Sequence, residues 1–190
     1  MVRKRRMWRN FEERAIPDAA LERILECAVH APSAGFSQGW GFLVLTHQDD
    51  RARFWDIEWP PEQRSGPHAS VMNAPVIIVP MSSKQAYLDR YAEPDKGWTD
   101  RDESRWPVPF WDIDTGFASM LMLLAAVDEG LGALFFGVRN VDGVRETFGV
   151  PLAHRPIGAI AVGYPARDTP SPSLKRGRRS VEEVVHRGRW

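Results

Sequence analysis

TGFASMLMLLAAVDEGLGALFFG, residues 115–137, is the stretch from which the rest of the chain can be read. Phe117, Met120, Leu121, Leu124 and Val127 follow the i, i+3, i+4, i+7 spacing of a helix, and Met122, Leu123, Ala125 and Ala126 fill the other sides. A helix apolar nearly all round is covered on both sides, either inside a large core or between two subunits. Taken as residues 115–129, it is too short to span a bilayer. The pattern stops at Asp128-Glu129-Gly130, where Gly130 suits the left-handed position that closes a helix. Ala133 to Phe136 then reads as a short buried strand ending at Gly137. A strand ending on glycine is a frequent place for backbone to meet a ligand, although plain core reads equally well on this stretch alone.

Around it, 190 residues with 43% hydrophobic content make one domain with a substantial core. Pro17-Asp18 marks a second helix start with Asp18 as N-cap; Leu21, Ile24, Leu25, Ala28 and Val29 form its stripe, and it ends before Pro32. The lone cysteine, Cys27, lies near that stripe and reads as a buried, inert thiol. Small residues at 32–39 lead into a strand at 41–46. Residues 49–59 suit a short helix, 60–70 a loop, 76–79 and 157–162 buried strands, and 141–148 a short helix closed by Gly149. The segment 92–111, rich in Pro, Trp and charge, has no regular period and reads as a lid or binding loop. A basic arm at 165–190 closes the chain. Helices mixed with short apolar strands indicate an α+β or α/β domain.

Composition narrows the function. Formal net charge is zero, which argues against nucleic acid or an anionic membrane as partner. One cysteine excludes a disulfide framework and a cysteine zinc site and fits a reducing cytoplasm; no metal site is expected. The basic N-terminus lacks a signal peptide's apolar region. The phosphate-loop, zinc-protease, GxSxG and GxGxxG motifs are all absent. Arginines cluster at both ends: Arg3, Arg5, Arg6 and Arg9, then Arg176, Arg178, Arg179, Arg187 and Arg189. Two such clusters suit bidentate contact with one phosphate if the termini converge; otherwise each is a solvated basic tail.

Four segments, in order along the chain, are similar to motifs of the nitroreductase family of FMN-dependent oxidoreductases. Arg5-Arg6-Met7-Trp8-Arg9-Asn10-Phe11 resembles the family's opening R-[RH]-S-x-[RK]-x-F. Residues 31–42, APSAGFSQGWGF, resemble A-P-S-x-x-N-x-Q-P-W-x-F. GLGALFFG at 130–137 resembles G-L-G-T-x-W-x-G, and RRSVEEVV at 178–185 resembles R-[RK]-P-[LV]-E-E-[VI]-[VI]. Met7, Phe36 and Gly39 stand where the family has Ser, Asn and Pro.

The resemblance implies an α+β fold, a mixed sheet flanked by helices in a domain-swapped homodimer, with FMN at the interface. It assigns the FMN phosphate to Arg5 and Arg6, joined by Arg178 or Arg179, and sets Met7 in the flavin site. Arg9 would lie at the pyrimidine edge, Pro32, Ser33, Ala34 and Gly35 would pack on the flavin from the second subunit, and Phe135, Phe136 and Gly137 would line its other side. NADH or NADPH would reduce the flavin, and a flat acceptor such as a nitroaromatic or quinone would reoxidise it, in a ping-pong cycle. Phe36, Trp106 and Trp111 are the expected substrate contacts. The departures at Met7 and Phe36 motivate an alternative, a low-turnover flavin-binding or flavin-sequestering protein on the same fold.

Overall fold

The structure, a computed structural model, describes residues 1–66, 69–167 and 170–190. The loop expected at 60–70 and the arm expected at 165–190 each include two residues outside that set, 67–68 and 168–169. Among the described residues the helices are α1 (Asp18–Val29), α2 (Gln48–Glu58), α3 (Lys84–Ala92), α4 (Phe110–Asp128), α5 (Val141–Thr147) and α6 (Val181–Val184). The strands are β1 (Trp40–Leu45), β2 (Val76–Ser82), β3 (Gly132–Phe136), β4 (Arg155–Pro156) and β5 (Ala159–Gly163).

The sheet runs β1-β2-β5-β3, with β4 paired to β2 beyond the end of β5. Every strand pair is antiparallel, with Trp40 opposite Ser82, Ile78 opposite Ile160 and Phe136 opposite Ala159. The expected mixed sheet is therefore antiparallel, with one parallel bridge, Met7 to Ala133, on the outer edge of β3. Side chains alternate across the sheet as strand geometry requires. Val76, Ile78, Ile160 and Val162 pack with α1 and α4, whereas Ile77, Val79, Ala159 and Ala161 pack with Phe54 and Trp55 of α2 and Val144 of α5. The result is an α+β sandwich, α1 and α4 on one face, α2 and α5 on the other.

The central helix starts at Phe110, five residues before its apolar pattern, which shortens the expected lid to 93–109. At 19 residues it is long enough to cross a bilayer, contrary to the shorter reading, but half of it is buried in the core against α1 and the sheet. The buried side also differs from the stripe of large residues. Ala118, Ser119, Met122, Leu123, Ala125 and Ala126 are buried, while Phe117 and Met120 are 47% and 44% exposed. Small side chains let α4 approach Ala20, Ile24 and Ala28 of α1 closely, so the bulky stripe is left outward. The helix closes as expected: Gly130 has φ 71°, its N–H reaches Val127 O at 3.2 Å, and Leu131 N–H reaches Ala126 O at 2.8 Å.

Two smaller expectations change in α1. Pro17 precedes the helix and Asp18 is its first residue, favouring the positive end of the helix dipole without capping it. Cys27 is exposed, because the buried face is drawn by Ala20, Leu21, Ile24 and Ala28, and residue 27 lies about 100° round from residue 28.

Candidate functional site

The N-terminal motif lies along the open edge of β3. Trp8 N–H donates to Ala133 O at 3.1 Å, and Met7 packs between the two core clusters. Gly132 is required here, since a Cβ would sit 2.9 Å from the Trp8 ring. Arg5 is half-buried, and its Nη1 is buried with no hydrogen-bond partner among the described residues. A guanidinium nitrogen held out of water in this way is set up to receive an anion. The Arg6 guanidinium lies 3.9 Å from the centre of the Trp8 ring on the same edge.

At the end of β3 the two aromatics diverge, as neighbours on a strand must. Phe135 packs on the α1/α4 face over Gly158, while Phe136 stacks on Trp55 on the α2/α5 face at 5.6 Å between ring centroids. Phe135 and Phe136 therefore do not line one surface together. Gly137 is exposed, with open space where a side chain would stand. The turn beyond it is fixed by Glu58 at the end of α2, a carboxylate 2% exposed that accepts the N–H of Arg139 at 2.7 Å and of Asn140 at 3.3 Å.

The second motif forms a taut loop at 33–38. Gly35, Phe36 and Gln38 have φ of 60°, 55° and 48°, left-handed values that two non-glycine residues adopt only under constraint. The constraint is visible. Asp114 Oδ2 accepts the Ala34 N–H at 2.8 Å and the Tyr87 hydroxyl at 2.7 Å, and Arg90 Nε donates to Gly35 O at 2.9 Å. Ser37 Oγ donates to Ala34 O at 2.6 Å, and Ser33 Oγ accepts the Gln38 N–H at 3.0 Å. A Cβ on Gly35 would come within 2.6 Å of the Tyr91 ring. Burial first, then the hydrogen bond to Asp114, push the Tyr87 hydroxyl well above its ordinary pKa. Pro32 and Phe36 are exposed, Phe36 at 73%.

The 93–109 segment folds against the same loop. Trp106 packs edge-on against Tyr91 and Tyr87, at 4.5 and 5.8 Å, and close to Trp111. Trp111, in the first turn of α4, is 6% exposed and belongs to the core. Trp106 is half-buried, with its Nε1 buried and unpartnered among the described residues. Arg178 and Arg179 lie in an arm whose residues 173–190 are all exposed; among the described residues no hydrogen bond or ion pair ties that arm to the body.

The candidates thus form two groups on opposite edges of the sheet. Arg5, Met7, Arg9 and Phe135 to Gly137 follow β3, and 32–36 leads into β1 three strand positions away, at least about 14 Å at ordinary strand spacing. Neither group lines the cleft of ≈ 770 Å³ at the other end of the sheet, where Arg14, Arg51, Trp55, Arg64 and Val76 meet.

A family model, Nitroreductase family, matches residues 2–164. The chain belongs to the nitroreductase family. A relative from Methanothermobacter thermautotrophicus, under the provisional name NADH dehydrogenase/NAD(P)H nitroreductase, is 31% identical over 173 residues, covering 88% of this chain and 76% of its own. Among solved nitroreductase-family structures, one from Streptococcus pneumoniae superposes with a TM-score of 0.75 at 20% identity, covering 96% of each chain. Another, from Exiguobacterium sibiricum and solved in complex with FMN, has a TM-score of 0.74 at 21% identity, covering 97% of this chain and 94% of its own. The nitroreductase fold is therefore shared, and the name that the relative carries is that of an oxidoreductase.

Sequence reading singled out Arg5 and the 32–36 loop as candidates. It missed Asp114, Tyr87, Arg90 and Glu58, the residues that hold the two candidate loops in shape. One signal was available: Asp112 and Asp114 are acids one turn ahead of the apolar pattern that starts at Phe117.

Proposed function

We propose that the protein is an FMN-dependent oxidoreductase, drawing reducing equivalents from NADH or NADPH and passing them to a flat acceptor such as a nitroaromatic or quinone. The observation that carries this reading is the buried Nη1 of Arg5, unpartnered among the described residues, on an edge that also presents Phe135 and the open Gly137. An FMN phosphate satisfies such a donor, so the residues fit the cofactor. Arg5 would hold the phosphate, with Arg178 or Arg179 reaching it from the arm. Arg9 would stand at the pyrimidine edge, where a fixed cation favours the charge that reduction creates. Gly137 leaves room for backbone to approach the ring, and Phe135 offers it an apolar face. When bound, the flavin would supply the hydride chemistry.

The 14 Å between the two groups supports a site shared by two copies, with 32–35 of one chain covering the ring held by β3 of the other. The outward stripe of Phe117 and Met120 and the exposed apolar residues of the arm, Leu174, Val181 and Val184, support the same homodimer. Phe36 and Trp106 would meet the acceptor; Trp111 would support them from the core.

The test is the visible spectrum of the purified protein, with anaerobic addition of NADH and NADPH. Stoichiometric FMN that is bleached by either nicotinamide is expected. Arg5→Ala should weaken FMN binding by about 1.5–3 kcal/mol, roughly 10- to 150-fold. Full occupancy with only slow bleaching by both nicotinamides would favour the low-turnover flavin-binding alternative, which Met7 supports because its thioether supplies no hydroxyl donor. Unchanged occupancy in Arg5→Ala would refute the phosphate assignment.

A further inference from the structure

Asp114 is 2% exposed in the chain's most apolar helix, and no cation pairs with it among the described residues. A buried carboxylate without a cation costs stability, so what it holds is informative. Its Oδ2 takes the Ala34 N–H and the hydroxyl of Tyr87, which is 0% exposed. The next two residues, Gly35 and Phe36, are left-handed, and the Phe36 ring projects into solvent at the top of the loop. Arg90 reaches the loop from α3 and the lid from the same guanidinium. Its Nε donates to Gly35 O, while Nη1 and Nη2 bind Asp95 at 2.7 and 2.8 Å and Nη1 reaches Glu93 at 3.2 Å. Tyr91 adds a second link: its ring closes on Gly35 and packs on Trp98 and Trp106, and its carbonyl accepts the Trp98 N–H at 2.8 Å.

We propose that Asp114, Tyr87 and Arg90 are positioning residues, a clamp that holds Phe36 outward as the aromatic platform for the acceptor, and that Arg90 couples this platform to the 93–109 segment. The acceptor class is then set by a phenyl face presented on a fixed backbone: a planar, electron-poor ring is favoured over a compact or strongly charged acceptor. This deepens the oxidoreductase reading and rests on it for the identity of the ligand, whereas the clamp itself stands on contacts within the chain.

Two measurements test it on the full-length protein. In amide hydrogen exchange, Asp114→Ala and Arg90→Gln should speed exchange across 33–38 about tenfold, the effect of one lost hydrogen bond of ordinary strength. Asp114→Asn, which keeps an acceptor oxygen, should remain near wild type. Arg90→Gln should also speed exchange at 93–99, with β2 and β5 unchanged. Arg90 is partly exposed and outside the core, so its variant keeps the test valid if Asp114→Ala does not fold. In steady-state kinetics, Arg90→Gln should raise the acceptor KM several-fold. It should add nothing in a Phe36→Ala background, and the rate of flavin reduction by nicotinamide should stay within about twofold.

Unchanged protection at 33–38 in Arg90→Gln, or loosening spread equally through β2 and β5, overturns the clamp. Independent, multiplying effects of Arg90→Gln and Phe36→Ala overturn its action through Phe36. If no acceptor is reduced at all, the exchange results still decide the clamp, and only the platform's role fails.

Discussion

The buried hydroxyl of Tyr87 donates a hydrogen bond to Asp114, and that single contact predicts how stability responds to alkali. Burial, then the Asp114 carboxylate, raise its pKa in the native state, while in the unfolded chain the phenol ionises near pH 10. Above that point the native state retains a proton that the unfolded state has lost, so stability falls as pH rises, by up to about 1.4 kcal/mol per pH unit from this group. Below about pH 10 the contribution is constant. Urea unfolding between about pH 8 and pH 11 should show wild type losing stability more steeply than Tyr87→Phe; parallel curves would refute the assignment. Residues of this kind leave little trace in sequence. Arg5 and Ser33 sit in short motifs, whereas Asp114 serves an amide 80 residues away and Glu58 one 81 residues away. A carboxylate that accepts backbone N–H groups imposes no residue type on its partner, so no spacing records it.

Among the elements, α4 carries the clearest lesson. Its helical period was legible, and so was its glycine stop, because both depend on local backbone physics. Which side faces the core was not legible, since Ala118, Ala125 and Ala126 weigh little on any hydrophobic scale yet permit the close approach to α1 that fixes the orientation. The stripe left outside has the composition of an interface centre. On the proposed homodimer, Phe117→Asp should weaken self-association by about 2 kcal/mol or more, roughly thirtyfold, with helix content retained. Sedimentation velocity at several concentrations, with circular dichroism as control, checks this, and an unchanged association constant would exclude the stripe as interface. The 93–109 segment shows the reverse case. Its lack of period was read correctly, but its order comes from contacts that pattern analysis cannot see: Trp98 and Trp106 against Tyr91, Lys84 with Glu103, and Arg101 with Asp89. The exposed ion pairs add little individually, so the aromatic packing is the main restraint.

For the whole molecule, the α+β class followed from sequence, and so did α1, α2, α4 and α5 with β1, β2, β3 and β5, whereas α3, the helix that carries Tyr87 and Arg90, and the short β4 did not. The strand order did not, and the strand order separates the two halves of the candidate site. β1 and β3 occupy opposite edges, so residues 32–36 and the Arg5 edge of one chain face different directions. In genetic terms, the proposed site shared by two copies predicts that some pairs of null alleles complement each other. One allele carries Arg5→Ala with Arg9→Ala. The other carries Gly35→Val, a side chain forced onto a backbone at φ 60° and into the Tyr91 ring. Each product paired with itself has no intact site. Co-expressed, half of the dimers formed at random are mixed, and each mixed dimer unites the two sound halves at one of its two sites, so about a quarter of wild-type activity returns. A single-chain site predicts none.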